Sequence, residues 1–164
     1  MLKGIPAILP PELLKILCEM GHGDEITIGD ANFPGNSLSN RVVRMDGHGI
    51  PEILDAILSL MPLDQYVDHP AMLMQVVPGD RTKTPIWEEY RQILGRYEER
   101  KANCLEEIER FAFYDRVKTH SYAVIMSGEK ATYANIILKK GVIKYMKSPC
   151  FCRSFRPSKK LADA

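Results

Sequence analysis

Gly21-His-Gly-Asp-Glu-Ile-Thr-Ile-Gly-Asp30 joins two patterns in one short stretch. On its N-terminal side Leu13, Leu14, Leu17 and Met20 recur at helical spacing behind Pro10-Pro11-Glu12. Pro11 suits a first helical turn and Gly21 a helix stop. Within the stretch Ile26 and Ile28 alternate, which predicts a strand over Glu25–Asp30. A helix handing over to a strand through a glycine-flanked histidine is one unit of an α/β domain.

The same alternation continues outward. Asn32-Phe-Pro-Gly-Asn36 is dense in turn residues, and Arg41–Met45 reads as a second strand. Pro51 opens a helix carrying Ile53, Leu54, Ile57, Leu58 and Met61, which Pro62 closes. Met72–Val77 reads as a buried strand, Pro78-Gly-Asp80 as a turn, and Pro85 as the start of a helix with Ile86, Tyr90, Ile93, Leu94 and Tyr97. A further helix is predicted over much of Leu105–Lys118, then strands at Tyr122–Met126 and Tyr133–Leu138 around a Ser127-Gly-Glu-Lys130 turn. Apolar strands alternating with amphipathic helices favour an α/β sheet covered on both faces. Past Val142 the pattern dissolves. Residues 1–143 are therefore expected to form one domain, and residues 144–164 a flexible basic tail.

The chain has 164 residues, 45% hydrophobic and 26% charged, which suits one domain with a real core. Its net charge of +1 is unevenly spread. From Lys144 onward six bases face one acid, leaving sixteen bases against twenty acids in the body. An acidic body argues against a nucleic-acid-binding domain. The longest run without Asp, Glu, Lys or Arg is His69–Gly79, too short to span a membrane. The N-terminus lacks the features of a signal peptide. Cys18, Cys104, Cys150 and Cys152 show no disulfide-framework spacing, so a cytoplasmic compartment is expected. Cys18 reads as a small core residue.

No phosphate loop, dinucleotide fingerprint or serine elbow is present. No His pair has zinc spacing, and Cys150-x-Cys152 alone is a weak metal signal, so neither metal nor cofactor is expected. Three segments offer chemistry. His22 lies on a sharply turning loop and is the side chain best suited to move protons near neutral pH; read blandly, it is a helix cap facing water. Arg110 and Tyr114 share a helix face, either to grip a hydroxyl-rich ligand or as an ordinary surface pair. Tyr133 and Asn135, placed in a strand, would point the same way, which suits sugar hydroxyls, or an Asn merely caps the strand end. His48, His69 and His120 read as surface or turn residues, and Met72 and Met74 as core.

Taken in order, Gly21-His-Gly-Asp-Glu-Ile26, Asp30-x-Asn-Phe-Pro34, Glu109-Arg-Phe-Ala-Phe-Tyr114, Ser127-Gly-Glu129 and Tyr133-Ala-Asn-Ile-Ile-Leu-Lys-Lys-Gly-Val142 resemble the L-fucose mutarotase / D-ribose pyranase family from about Leu2 to Val142. Gly23, Asn32-Phe33-Pro34 and the Arg-Phe-x-Phe-Tyr run resemble the fucose branch; Ala134 is shared with the ribose branch. Pro10, where Ser often caps the first helix, and the tail depart from the pattern. The resemblance implies a three-layer α/β/α sandwich around a mixed, mostly parallel sheet. It implies an isomerase that interconverts the α and β anomers of a free monosaccharide, L-fucose, without metal or organic cofactor. It also implies a homo-oligomer with sites near subunit boundaries. His22 would be the proton donor. Asp30, Arg110, Tyr114, Tyr133 and Asn135 would bind the sugar, with Asp64 and Met74 at less well-marked positions. Asp30 would either orient the His22 imidazole or anchor a sugar hydroxyl. Ribose pyranose–furanose exchange and a non-catalytic sugar-binding module are the competing expectations.

Overall fold

A computed structural model describes residues 2–98 and 104–144. Five helices, α1 (Pro11–Glu19), α2 (Gly35–Leu38), α3 (Ile50–Leu58), α4 (Ile86–Tyr97) and α5 (Arg110–His120), alternate with strands β1 (Glu25–Gly29), β2 (Val42–Met45), β3 (Ala71–Met74), β4 (Leu105–Ile108), β5 (Ser121–Ser127) and β6 (Ile136–Lys139). The strands form one sheet in the order β2-β5-β1-β6-β3-β4. Strands β2, β5 and β1 run parallel to one another, as do β3 and β4. Strand β6 lies between the two sets and is antiparallel to both β1 and β3. The sheet is thus mixed and mostly parallel.

The strands' two-residue period makes the layers. Ile26, Ile28, Leu73, Ile125, Ile136 and Leu138 point to one face, where α1, α3 and α4 bury Leu13, Leu17, Ile53, Leu54, Ile57, Tyr90 and Leu94. Met72, Met74, Val124, Met126 and Ile137 point to the other, under Phe113 and Val117 of α5 and Phe33 just before α2. Two cores on opposite faces give the three-layer α/β/α sandwich.

Four local expectations change. Leu105–Ile108 is not the start of a helix but edge strand β4, paired parallel with β3. The helix begins only at Arg110, because the Glu109 carboxylate caps it by accepting from the Phe111 and Ala112 N–H groups at 2.8 and 3.0 Å. The turn-rich Phe33–Asn36 segment opens the short helix α2. Strand β6 starts at Ile136, so Tyr133 and Asn135 belong to the preceding loop. Cys18 is exposed, because α1 turns Leu13, Ile16 and Leu17 inward instead. Residues 145–164, including Cys150 and Cys152, lie outside the described residues, and so does the expectation of a flexible tail there.

One ion pair ties α5 to the sheet. The Glu25 carboxylate, 1% exposed, receives Arg116 Nε and a terminal guanidinium nitrogen at 2.9 and 2.6 Å, with Lys139 Nζ at 3.9 Å. A carboxylate removed from water needs such partners. Arg116→Ala is expected to destabilise the protein by about 3 kcal/mol, the low end for orphaning a buried charge, since Lys139 remains. Chemical denaturation checks this, and Arg116→Lys should recover only part of the loss, because an ammonium lacks the two-pronged geometry.

Candidate active site

The connection between β5 and β6 shapes one end of the sheet. The chain leaves β5 at Ser127, passes over the end of β1 and returns on the far side of it as β6. Two bonds pin the crossing: the Ala31 N–H donates to the Glu129 carbonyl at 2.9 Å, and the Asp30 N–H donates to Asn135 Oδ1 at 2.8 Å. The carboxyl ends of β1 and β3, where strand direction reverses against β6, therefore lie open beside this loop. Clefts at such reversals are where α/β sheets bind ligands.

A pocket of about 270 Å³ occupies that position. Asp30, Asn32, Phe33, Met74, Asp80, Thr82, Arg110, Tyr114, Thr132, Tyr133 and Asn135 line it. Met74 is the buried last residue of β3, and Arg110 and Tyr114 stand one turn apart on α5. The Arg110 guanidinium lies 5.6 Å from the centre of the Tyr114 ring, which in turn sits against Phe33. The pocket thus presents an apolar wall, a fixed cation, phenols, an amide and a carboxyl. That mixture suits a small polyhydroxylated ligand.

The Asp30 side chain is 5% exposed. Burial pushes its carboxyl above the usual range, and the charge of Glu129 adds to this. Hydrogen bonds from the Asn32 and Phe33 backbone and the Asn135 side chain oppose the shift without cancelling it.

Tyr133 has φ of +57°, a conformation uncommon for a residue with a side chain. It is kept there from both sides. The Trp87 indole N–H donates to the Tyr133 carbonyl and the Tyr90 hydroxyl to the Ala134 carbonyl, each at 2.8 Å, so α4 clamps the backbone. The Tyr133 hydroxyl donates to Asp80 Oδ2 at 2.7 Å, and this bond raises its pKa.

His22 and Asp64 are not in the pocket. His22 Nε2 lies 3.0 Å from Asp64 Oδ1, with the Tyr66 ring edge-on at 5.5 Å between centroids. Gly23, at φ +87°, allows the turn that aims the imidazole there; a side chain at that position would strain the backbone. Burial would raise the Asp64 carboxyl, but the Tyr66 N–H, His22 and Lys139 outweigh it and hold it below the usual range. His22 itself remains 44% exposed. The carboxylate that hydrogen-bonds the His22 imidazole is thus Asp64 and not Asp30. His22 precedes β1 and Asp30 follows it. The five residues of β1 at about 3.3 Å each put roughly 16 Å of strand between the two.

Of the residues the sequence singled out, the structure brings Asp30, Met74, Arg110, Tyr114, Tyr133 and Asn135 together around this pocket. The sequence named no role for Asn32, Phe33, Asp80, Thr82 or Thr132, which also line the pocket. Pro78-Gly-Asp80 was readable only as a turn, and nothing local signals that Asp80 reaches Tyr133. Among the described residues no group of three or more His, Cys, Asp and Glu could hold a metal ion. None of the described helices is long and apolar enough to cross a membrane.

Known proteins resemble the chain over this whole body. It is 50% identical over 151 residues to the fucose mutarotase of Homo sapiens, covering 87% of this chain and 94% of that one. The crystal structure of FucU from Bifidobacterium longum superposes with a TM-score of 0.85 at 58% identity, over 87% of this chain and 100% of the other. The fucose mutarotase from Streptococcus pneumoniae, crystallised in complex with L-fucose, superposes with a TM-score of 0.82 at 49% identity, over 87% and 100%. Residues 3–143 match the family described as the RbsD / FucU transport protein family, and the chain belongs to that family.

Proposed function

We propose that this chain is an isomerase that interconverts the α and β anomers of free L-fucose by opening and closing the sugar ring. The observation that carries the reading is the pocket itself. A proton-exchanging carboxyl, a guanidinium, two phenols and an amide surround a space of about 270 Å³, in a chain of about half-identical sequence to fucose mutarotases. Ring opening needs a proton delivered to the ring oxygen and one taken from the anomeric hydroxyl. Positioned acids and bases contribute about 10²–10⁴-fold to such steps. Asp30 serves as one proton-exchanging group. Arg110, Tyr114, Tyr133 and Asn135 hold the hydroxyls, and Met74 and Phe33 form the apolar floor.

The second proton-transfer group is His22, supplied by another copy of the chain. The His22–Asp64 pair lies across the length of β1 from its own pocket, with Asp64 buried and the His22 imidazole half-exposed. A head-to-tail assembly that sets one sheet end against the other brings this pair to a neighbour's pocket, and repeats into a closed ring. The protein is thus read as a homo-oligomer with sites at subunit boundaries. The exposed free thiol of Cys18 suits a reducing, cytoplasmic compartment.

Mixing variants tests this reading. His22→Ala and Arg110→Ala should each reduce L-fucose anomer exchange, read by saturation-transfer NMR, by at least about 100-fold. Dissociated and reassembled together in equal amounts, they should recover about a quarter of wild-type activity, since random mixing pairs an intact pocket with an intact His22 at that frequency. Folded, co-assembled variants that stay inactive together would contradict the shared site.

A second expectation follows from Asp30. Its carboxyl pKa is raised on folding, so the folded state gains most below the unfolded value near 3.9 and loses that gain as pH rises through the folded pKa. Asp30→Asn should therefore raise the melting temperature at pH 7, with the gain vanishing near pH 3, while lowering exchange activity. A variant less stable than wild type at pH 7 would contradict the electrostatic account.

A further inference from the structure

The loop between β3 and α4 carries Asp80, a residue outside every motif that marks the pocket. Its carboxylate is committed on both oxygens. Oδ1 accepts from the Thr82 N–H at 2.9 Å and the Thr82 hydroxyl at 2.7 Å. Oδ2 accepts from the Tyr133 hydroxyl at 2.7 Å. The Thr82 hydroxyl, then Tyr133 and the Thr82 N–H, hold Asp80 below the usual carboxylate range, so it is ionised and accepts only. The phenol proton of Tyr133 is therefore spent on Asp80, and Tyr133 Oη, which also feels the Val77 N–H, has a remaining lone pair to offer the ligand.

We propose that Asp80 is a positioning residue for sugar recognition: by accepting the Tyr133 O–H hydrogen bond it fixes Tyr133 Oη as a hydrogen-bond acceptor in the pocket, matched to a donating hydroxyl of the sugar. This rests on the sugar-binding reading of the pocket. The geometry supports it at each link. The Tyr133 backbone is clamped by Trp87 and Tyr90 in a conformation it would seldom adopt alone, so only the phenol end remains to be fixed. Asp80 fixes that end from a loop 53 residues away in sequence, and Thr82 keeps Asp80 from turning aside. Tyr133 then reads a hydroxyl and takes no part in proton transfer, which falls to the other polar groups.

The test is a double-mutant cycle on the full chain with L-fucose exchange as the readout. Asp80→Ala and Asp80→Asn should each raise KM about 5–10-fold with kcat little changed, the scale of one lost hydrogen bond. The Asn variant keeps the shape but turns an N–H₂ toward the phenol, so it should resemble Ala rather than wild type. In a Tyr133→Phe background both substitutions should change KM by less than about 2-fold, because the group they act through is gone. Independently of any sugar, ¹³C-tyrosine NMR should show Tyr133 ionising at lower pH in Asp80→Asn than in wild type. Unchanged KM in the single variants, an undiminished effect in the Tyr133→Phe background, or an unmoved Tyr133 midpoint would each overturn the proposal. A wild-type protein that fails to exchange L-fucose would instead overturn the functional reading, and the Tyr133 midpoint would still decide where Asp80 acts.

Discussion

The 2.8 Å hydrogen bond from the Asp30 N–H to Asn135 Oδ1 is the point on which both fold and pocket depend. It closes the crossing of the β5–β6 connection over the end of β1. That crossing is what inserts β6 antiparallel between two parallel sets of strands. An uninterrupted parallel sheet would send each strand's carboxyl end into a separate loop. Here the return of β6 delivers Tyr133 and Asn135 directly to Asp30. Helix α4 then holds the crossing from the other side, through Trp87 and Tyr90, whose polar atoms reach the carbonyls of Tyr133 and Ala134. Core packing and site geometry are the same set of contacts at this corner.

The opposite end of β1 is built by a different kind of force. There polar pairing dominates: Glu25 forms an ion pair with Arg116 and Lys139, and His22 hydrogen-bonds Asp64, whose carboxyl also feels Lys139. Lys140 adds bonds from its ammonium to the Leu17 and Met20 carbonyls at the end of α1, at 2.7 and 2.5 Å. A strand of five residues thus carries two polar centres on its two ends, too far apart to act on one small molecule. In the reading proposed above, that separation is what calls for a second copy of the chain.

Much of this was readable in the residues, for reasons that differ by element. Strands β1 and β5 and helix α3 announce themselves because their apolar period matches the face they bury. Strand β4 does not, since Leu105-Glu-Glu-Ile108 sits at a sheet edge with charged residues, and its tie to β3 is long-range. Arg110 with Tyr114 and Tyr133 with Asn135 stood out as pairs on a common face, and the ordered motifs added Asp30 to them. The partner of His22 did not stand out: the histidine reaches Asp64 across 42 residues, and a local reading favoured the nearer aspartate. Asp80 is invisible for the same reason, its turn being local and its purpose distant.

A pocket that works as proposed makes the wild-type chain accelerate anomer exchange of L-fucose. Saturation transfer between the α and β anomeric protons, recorded with increasing amounts of native protein, tests it most directly. The exchange rate should rise in proportion to protein and exceed the rate for ribose pyranose–furanose exchange. Binding of L-fucose with no rise in its exchange rate would contradict the proposed function.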